Sequence, residues 1–492
     1  MIHLDARTPV IVGVGQVNDA GHDAPEPVDL LVEAALGAVA DSGAGGLTAA
    51  IDSVRVVRLL SWRYRDAGAL VAARIGARPR HTSYSTDGGQ TPQVMLNRAA
   101  TDIQAGRADV ILLGGAESWR TRMAYRKRDQ RPAWTRQGDD VAPSEVEGAD
   151  LDMINGIERD LGVFMPVQVY PLFESALRYA TGLSIEDHVR RVAGLWAGFS
   201  QVAAGNRYAA LPEAISAEVI ATPGPANRMI GFPYTKLMNS NNSVNQAAAL
   251  LLCSLGRARS LGVAEDRMVF PHAGSETTDT PYVSNRADLS TSPAIRAAGR
   301  ALFDVVGAGI DDMAHVDLYS CFPSAVQVSA TELGLGLDRQ LTVTGGLTFA
   351  GGPWNNYVSH SIATMVDVLR GDPGTLGLCS ANGGLLTKHA LGVYSTGPPD
   401  HGFHVVRPDV PGGRSVRDVV DGNATGHAVI EAYTVMHDGQ DRPEIAILTA
   451  LRPDGTRTWR TSHDADLMLA MTRDEFCGRE LDLTAGGGFN LG

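Results

Sequence analysis

Short apolar runs alternate with helix-like stripes in two separate stretches of this 492-residue chain. In the first stretch, apolar runs at residues 10–15 and 54–60 flank a stripe at 27–42 that carries apolar side chains at helical spacing. Strands that alternate with helices are typical of parallel βαβ units. The pattern therefore predicts an α/β fold, and its recurrence in the second stretch suggests two similar halves.

Glycine- and proline-rich punctuation divides both halves. In the first half, Asp87-Gly-Gly-Gln-Thr-Pro92 places an N-cap type residue, Thr91, and a first-turn proline at the start of a helix that leads into a strand at 109–114. The elements predicted for the second half are a helix at 244–255, a strand at 312–317, a glycine-rich loop at 344–353, a helix at 358–369, a strand at 375–379 and a second glycine loop at 380–384.

Two regions depart from this plan. Residues 119–230 are polar, rich in charge and helical in places, so we interpret them as an excursion from a first half that covers 1–245. The second half is expected to end near residue 400, and residues 405–492 show short strand-like runs joined by Gly/Asp turns. Such runs, followed by a small helix near 465–471, are typical of a compact β-barrel. The Pro- and Gly-rich segment 398–414 is the predicted linker.

The bulk composition excludes several classes of function. The formal charge of −13 disfavours nucleic acid as a partner, because binding to a polyanion needs a positive surface. The four cysteines lie far apart and form no CxxC pair, which argues against a metal site and fits a reducing cytoplasm. No apolar run approaches the roughly 20 residues that cross a bilayer, so we expect a soluble protein without membrane insertion.

Four segments, in this order, resemble the thiolase superfamily over about residues 8–397. These segments are residues 99–117 with Gly-Gly-Ala-Glu-Ser at their end, Asn245-Gln-Ala-Ala-Ala249, Val316-Asp-Leu-Tyr-Ser-Cys-Phe322 and Gly345-Gly-Leu-Thr-Phe-Ala-Gly-Gly-Pro353. The resemblance implies a duplicated thiolase fold, with two βαβαβαββ halves in five αβαβα layers. With an appended OB-type barrel, the chain looks like the actinobacterial thiolase-like proteins of type 1.

The departures from the thiolase pattern bear directly on activity. By the resemblance, the nucleophilic cysteine falls on Gly89 and the histidine of the Gly-His-Pro loop falls on Gly352. Thiolysis and Claisen condensation proceed through an acyl-enzyme, which needs a thiolate. The sequence therefore predicts little or no thiolase turnover.

Four residues are candidates for remaining chemistry. By the resemblance, Tyr319 takes the position of the asparagine of Asn-Glu-Ala-Phe, or of the histidine of His-Asp-Cys-Phe, in the family. It is expected to polarise a carbonyl or act as a general acid. His360 and His389 follow the two glycine loops. Cys379 lies at the last glycine loop, where the alignment leaves open whether it takes the position of the cysteine that acts as a base in thiolases. For each of them, packing or turn formation is the alternative interpretation.

A run of arginines and lysine follows Glu117-Ser118, and its centre is Arg126, Lys127 and Arg128. Such side chains match the charge and geometry of phosphate groups. We predict that these three contact the phosphates of coenzyme A, with a solvated face as the alternative.

Three functional hypotheses follow from these features. The first is a thiolase-like protein of acyl-CoA (lipid or sterol) metabolism, nominally an acyltransferase, that binds coenzyme A or acyl-CoA and holds no tightly bound cofactor. The second is a retro-aldolase on a hydroxyacyl-CoA, and the third is a non-catalytic scaffold whose barrel binds a protein partner. Because the barrel is expected to cover the edge through which thiolases dimerise, we expect a monomer or an atypical dimer.

Overall fold

The computed structural model of the chain describes residues 5–410 and 416–492. The strands before residue 255 are β1 (Pro9–Asn18), β2 (Ser53–Val56), β3 (His81–Ser85), β4 (Val110–Ser118), β5 (Glu145–Glu147), β6 (Met229–Gly231), β7 (Tyr234–Thr235) and β8 (Asn245–Ser254). The helices of this region are α1 (Pro27–Asp41), α2 (Leu47–Ala50), α3 (Ala67–Ile75), α4 (Thr91–Gln104), α5 (Trp119–Lys127), α6 (Gly156–Asp160), α7 (Pro166–Thr181), α8 (Ile185–Ala204) and α9 (Ala217–Ala221).

The second half and the C-terminal region follow. Their strands are β9 (Phe270–Thr278), β10 (Met313–Asp317), β11 (Leu376–Gly383), β12 (Lys388–Ser395), β13 (His404–Val406), β14 (Val419–Val420), β15 (Gly426–His437), β16 (Pro443–Leu451), β17 (Arg457–Ser462), β18 (Glu480–Leu483) and β19 (Phe489–Leu491). Their helices are α10 (Leu255–Ser260), α11 (Pro293–Val306), α12 (Pro323–Leu333), α13 (Gly346–Phe349), α14 (Tyr357–Gly371) and α15 (Ala465–Met471).

The two halves share one strand arrangement. The first sheet has the order β1-β8-β4-β2-β3-β5, and the second has β10-β11-β12-β9-β13. In each, an antiparallel triplet (β1-β8-β4 or β9-β12-β11) is followed by a parallel neighbour, β2 or β10. This repeated pairing confirms the predicted duplication.

Helices cover both sheets on both faces. Helices α1 and α3 pack on the first sheet, α11 packs on the second beside α12, and α4 and α14 contact strands of both sheets. Ten of the fifteen residues of α14 are buried, including all of the first seven, as expected for a helix enclosed between two sheets. The result is the predicted five-layer αβαβα stack, with the starts of α4 and α14 in its middle layer.

The predicted helix at 244–255 is wrong, because these residues form strand β8. An alanine- and leucine-rich run of this length fits a buried helix and a buried strand equally well. Tertiary pairing decides the outcome: β8 lies between β1 and β4, and all ten of its residues are buried.

The predicted loop at 380–384 is also largely strand. Antiparallel pairing with β12 extends β11 as far as Gly383, opposite Lys388. Cys379 therefore lies in the middle of a buried strand and not at a loop.

The C-terminal region is the predicted small β unit, and among the described residues its strands follow an open path and do not close into a full barrel. Its order is β14-β17-β16-β15-β18-β19, and β6 from the excursion joins it by pairing with β15. Strand β15 is one of the predicted strand-like runs, and the helix near 465–471 has the predicted bounds. Part of the predicted linker, 411–415, lies outside the described residues.

The predicted linker at 398–414 would favour few contacts between this sheet and the core, but the contacts are extensive. Arg457 of β17 is fully buried and donates to the backbone carbonyls of Ser284 and Arg286, each at 2.6 Å. Its other guanidinium nitrogens donate to Glu431 at 2.7 Å. Strand β15 also packs against α7 of the excursion. The sheet is thus built into the thiolase core.

Strand β5 covers the edge of the first sheet beside β3. The two strands pair in parallel, and Arg55 and Arg98 reach the β5 glutamates Glu147 and Glu145. We expected the C-terminal region to cover this edge, whereas a strand of the excursion does so.

Candidate functional site

The loop that precedes α4 is fixed by residues from the second half. The side-chain oxygen of Asn355 accepts from the backbone N–H of Gly88 at 3.0 Å, and its amide nitrogen donates to Arg58 O at 3.1 Å. The ammonium group of Lys388 donates to Asp87 O at 2.8 Å. Position 89 therefore lies where the two halves meet at the start of a buried helix.

The space beside Gly89 is filled. A Cβ atom on Gly89 would lie 2.8 Å from Cζ of Tyr319 and even closer to the Tyr319 hydroxyl and to the carbonyl oxygen of Asn382. Nonbonded atoms do not approach so closely, so the site accepts glycine and excludes any larger residue without rearrangement. Burial raises the pKa of Tyr319 well above its usual range, which keeps the phenol protonated at neutral pH.

Gly352 is blocked in the same way. A Cβ atom there would collide with Oγ of Ser240 and would lie 3.1 Å from Oδ1 of Asn242. Ser240 donates to Asn242 at 2.8 Å, and the N–H of Gly352 donates to Asn241 O at 2.9 Å. Our sequence reasoning missed these residues, although the polar run Asn239-Ser-Asn-Asn-Ser243 before β8 was a visible signal.

A small polar cluster adjoins Tyr319. The amide nitrogen of Asn382 donates to the hydroxyl of Tyr170 at 2.9 Å, and the thiol of Cys321 lies 3.9 Å from the same nitrogen. Within the described ranges, Oδ1 of Asn382 is buried without a hydrogen-bond partner. Burial raises the pKa of Cys321 to about 12 and that of Tyr170 well above its usual range. The cluster is therefore uncharged and offers proton donors at neutral pH.

His360 lies on α14 and contacts β1. Because Gln16 donates to Thr364 through Nε2, its Oε1 accepts from Nδ1 of His360 at 2.8 Å. This leaves Nε2 of His360 as a buried acceptor without a partner among the described residues. Burial lowers the pKa of His360 to about 3, so the ring is neutral. Its hydrogen bonds connect it to Gln16 and not to Tyr319.

His389 and Cys379 each lie against a buried aspartate. His389 is paired with Asp279 at 3.2 Å, and Asp279 also accepts from Ser292 at the start of α11. Burial opposes ionisation of Asp279, but the hydrogen bond and charge of His389 lower its pKa below the usual range. Cys379 is fully buried, and this burial, together with the neighbouring Asp317, raises its thiol pKa well above the usual value. These contacts favour structural roles.

The basic run separates into two groups. Arg126, Lys127 and Arg128 are exposed at the end of α5, and Arg128 pairs with Asp23 at 2.9 Å. Arg122 and Arg136 instead line a cavity of about 740 Å³. Arg58, Arg63 and Arg65, which follow β2, complete what we call the arginine cavity. Sequence reasoning missed these three, because they are scattered among aromatic residues.

No cluster of three or more His, Cys, Asp or Glu side chains suited to a metal ion occurs in residues 5–410 and 416–492. Over the same residues, none of the helices has the length and apolarity required to cross a membrane.

Comparison with known proteins places these features in a family. No protein-family model matches the chain. The crystal structure of a monomeric SCP2-thiolase-like protein type 1 from Mycobacterium smegmatis is 34% identical, with a TM-score of 0.83, and the alignment covers 99% of this chain and 100% of that one. The chain belongs to the SCP2-thiolase-like protein type 1 family.

More distant proteins are similar to a large part of this type 1 protein. The Ltp2–ChsH2(DUF35) aldolase is 19% identical, with a TM-score of 0.59, over 79% of this chain and 98% of that one. An acetyl-CoA acetyltransferase of Methanocaldococcus jannaschii is 21% identical over 332 residues, which are 67% of this chain and 76% of the relative. These comparisons span the core, and the full-length match extends through the C-terminal sheet.

Proposed function

We propose that this type 1 protein binds a coenzyme A thioester without forming an acyl-enzyme. The observation that carries the proposal is the filled space at Gly89, where Tyr319 and Asn382 leave no room for a nucleophilic side chain. The family supports an acyl-CoA ligand, because its relatives include an acetyl-CoA acetyltransferase.

The four cysteines support the absence of covalent catalysis. Burial raises the pKa of Cys253 and of Cys321 to about 12, and it raises the thiol pKa values of Cys379 and Cys477 further. A protonated, buried thiol is a poor nucleophile. None of the four supplies a thiolate at Gly89, because three lie within the core and the thiol of Cys321, which faces Asn382, stays protonated.

The test is to mix the full chain with acetoacetyl-CoA and coenzyme A, and to measure both thiolysis and binding. We expect binding by calorimetry, no thiolysis above background and no mass increase from an acyl group. Robust thiolysis, or an acyl adduct on any cysteine, would contradict the proposal. A Cys321→Ser variant serves as the matched control, because it removes the only thiol that is not fully buried.

A retro-aldol cleavage of a hydroxyacyl-CoA is the second candidate. It is favoured by the protonated phenol of Tyr319 at the vacated nucleophile position, since such cleavage needs proton transfer and no thiolate. Release of an aldehyde or ketone from a 3-hydroxyacyl-CoA, and its loss in Tyr319→Phe, would support this reaction. Binding without carbonyl release would leave the protein as a non-catalytic thioester binder.

A further inference from the structure

The arginine cavity lies beyond the carboxyl ends of three neighbouring strands. Its walls come from the segment after β2, the end of β3, and α5, which directly follows β4. The sheet order is β4-β2-β3, so the chain leaves β2 in one direction for β3 and then crosses back to β4. In open α/β sheets, ligands bind outside the carboxyl ends of strands at such a reversal.

The lining is strongly basic in a chain whose formal charge is −13. Five arginines and a single acidic residue, Asp139, line the cavity. Arg65 pairs with Asp139, and Arg58 lies 3.4 Å from Asp87. Across the described ranges, the remaining three form no ion pair with a carboxylate: Arg63, Arg122 and Arg136. Three uncompensated guanidinium groups around one cavity provide a site for an anion.

Hydrogen bonds hold the cavity wall in place. The side chain of Gln137 accepts from the N–H groups of Arg65 and Asp66 at 2.9 and 3.0 Å, and it donates to Asp66 O at 2.8 Å. Trp62 donates to Thr135 O at 2.8 Å, and Arg122 donates to Leu60 O at 2.8 Å. The two segments that carry the arginines are thus tied together before any ligand arrives, which lowers the entropy cost of binding.

The shape and chemistry of the cavity define a class of ligand. Guanidinium groups bind phosphate oxygens in a forked geometry, so several of them favour an anion with more than one phosphate. A volume of about 740 Å³ exceeds that of pyrophosphate alone and falls in the range of small-molecule sites. Leu59, Leu60, Trp62 and Val146 supply apolar surface for an organic group.

We propose that the arginine cavity binds a phosphorylated nucleotide, of the class of a nucleoside diphosphate, through Arg63, Arg122 and Arg136. The proposal can fail or hold separately from the one at Gly89, because it is tested with ADP, which carries no thioester. The same chemistry is present in the phosphoadenosine part of coenzyme A and in a free nucleotide, and the experiment distinguishes these sources.

The test is calorimetric titration of the full chain with ADP, pyrophosphate and coenzyme A at low and at physiological salt. We expect ADP to bind, its affinity to fall as salt rises, and the triple variant Arg63→Gln/Arg122→Gln/Arg136→Gln to lose about tenfold or more. The matched control, Arg259→Gln/Arg300→Gln/Arg473→Gln, changes the charge equally at exposed positions and should retain affinity.

The outcomes separate the ligand sources and expose a wrong proposal. If coenzyme A competes with ADP and is also lost in the cavity variant, its phosphates are the source. If only ADP is lost, the ligand is a free nucleotide, and either result supports the site. Absence of ADP and pyrophosphate binding at millimolar concentration, or equal losses in both triple variants, overturns it.

A second measurement does not depend on folded variants. The wild-type protein is treated with phenylglyoxal, with and without ADP, and modified arginines are mapped by mass spectrometry. We expect ADP to protect Arg63, Arg122 and Arg136 and to leave Arg259 and Arg300 reactive. Uniform modification with and without ADP would also overturn the proposal.

Discussion

The hydroxyl of Tyr319 occupies the space in which a side chain on Gly89 would begin. Adding a methyl group at Gly89 should therefore cost about 1–3 kcal/mol of unfolding free energy, because the ring and the Asn382 carbonyl must both move. Chemical denaturation of Gly89→Ala measures this cost. Gly194→Ala is the control, since Gly194 lies exposed in α8 with open space around it, and this change should be neutral or slightly stabilising. Equal effects at the two sites would contradict the crowding argument.

A double-mutant cycle tests the pair directly. Tyr319→Phe removes the hydroxyl that obstructs position 89, so Gly89→Ala should cost less in the Tyr319→Phe background than in the wild type. Relief should be partial, because Cζ of the ring remains close. Gly89→Cys, alone or with Tyr319→Phe, should not create thiolysis, since Gly352 still carries no histidine. Additive stability effects would show that the two residues do not compete for space.

The exposed basic residues at the end of α5 are predicted to contact coenzyme A at its 3′-phosphate. Neutralising Arg126, Lys127 and Arg128 together should weaken coenzyme A more than dephospho-coenzyme A, and the difference should shrink at high salt. Calorimetry with both ligands provides the measurement, with the Arg259/Arg300/Arg473 variant as the charge-matched control. Equal losses for the two ligands would exclude the 3′-phosphate as the contact.

Glu117 predicts a pH dependence of stability. It is fully buried at the end of β4, accepts from the N–H groups of Leu60 and Ser61 at 2.7 and 2.6 Å, and has its pKa raised by burial to about 7. A raised folded-state pKa means that the native protein binds the proton more tightly than the unfolded chain. The contribution of protonated Glu117 to the free energy of unfolding is complete below about pH 4.5. It is lost as pH rises to about 7, by on the order of 2–3 kcal/mol.

Denaturation of the wild type and of Glu117→Gln across this pH range tests the assignment. The difference in unfolding free energy between the two should decrease from pH 4.5 to 7, because glutamine does not titrate. A difference that stays constant with pH would mean that Glu117 ionises at its ordinary value.

Arg457 should couple the C-terminal sheet to the core. Its removal leaves Glu431 without its arginine partner and the buried carbonyls of Ser284 and Arg286 without this donor, so Arg457→Ala should cost about 3–5 kcal/mol. Arg442→Ala, at an exposed pair with Asp438, should change stability by less than about 1 kcal/mol. Both sheet and core should unfold in one transition. A separate transition shifted only by Arg457→Ala would show instead that the C-terminal sheet unfolds as an independent unit.

Strand β5 should keep the protein monomeric by covering the edge of β3. A proline at Val146 cannot pair with Tyr84 as the present residue does, so Val146→Pro should free this edge and promote self-association. Val146→Thr keeps the strand and is the control. Light scattering should give a monomer for the wild type and for Val146→Thr, and a larger mass for Val146→Pro. A dimeric wild type would show that β5 does not block association.

Local sequence determined the positions of most helices and strands. Amphipathic stripes and proline at the first turn placed α1 and α4, and alternation between tight turns placed β15. These patterns depend on neighbouring residues and are visible without the fold. The order of the motifs also predicts that Gly89 takes the position of the thiolase cysteine, because this alignment depends on the sequence alone.

Only the tertiary structure decided the rest. The apolar run at β8 became a strand because two partners sandwich it, and Cys379 became inaccessible because β12 extends its strand. The blocking of Gly89 by Tyr319 joins residues from different halves, and the arginine cavity gathers side chains from segments that are far apart in the chain. Such long-range contacts depend on how sheets and helices pack, which local patterns of hydrophobicity and turn residues do not encode.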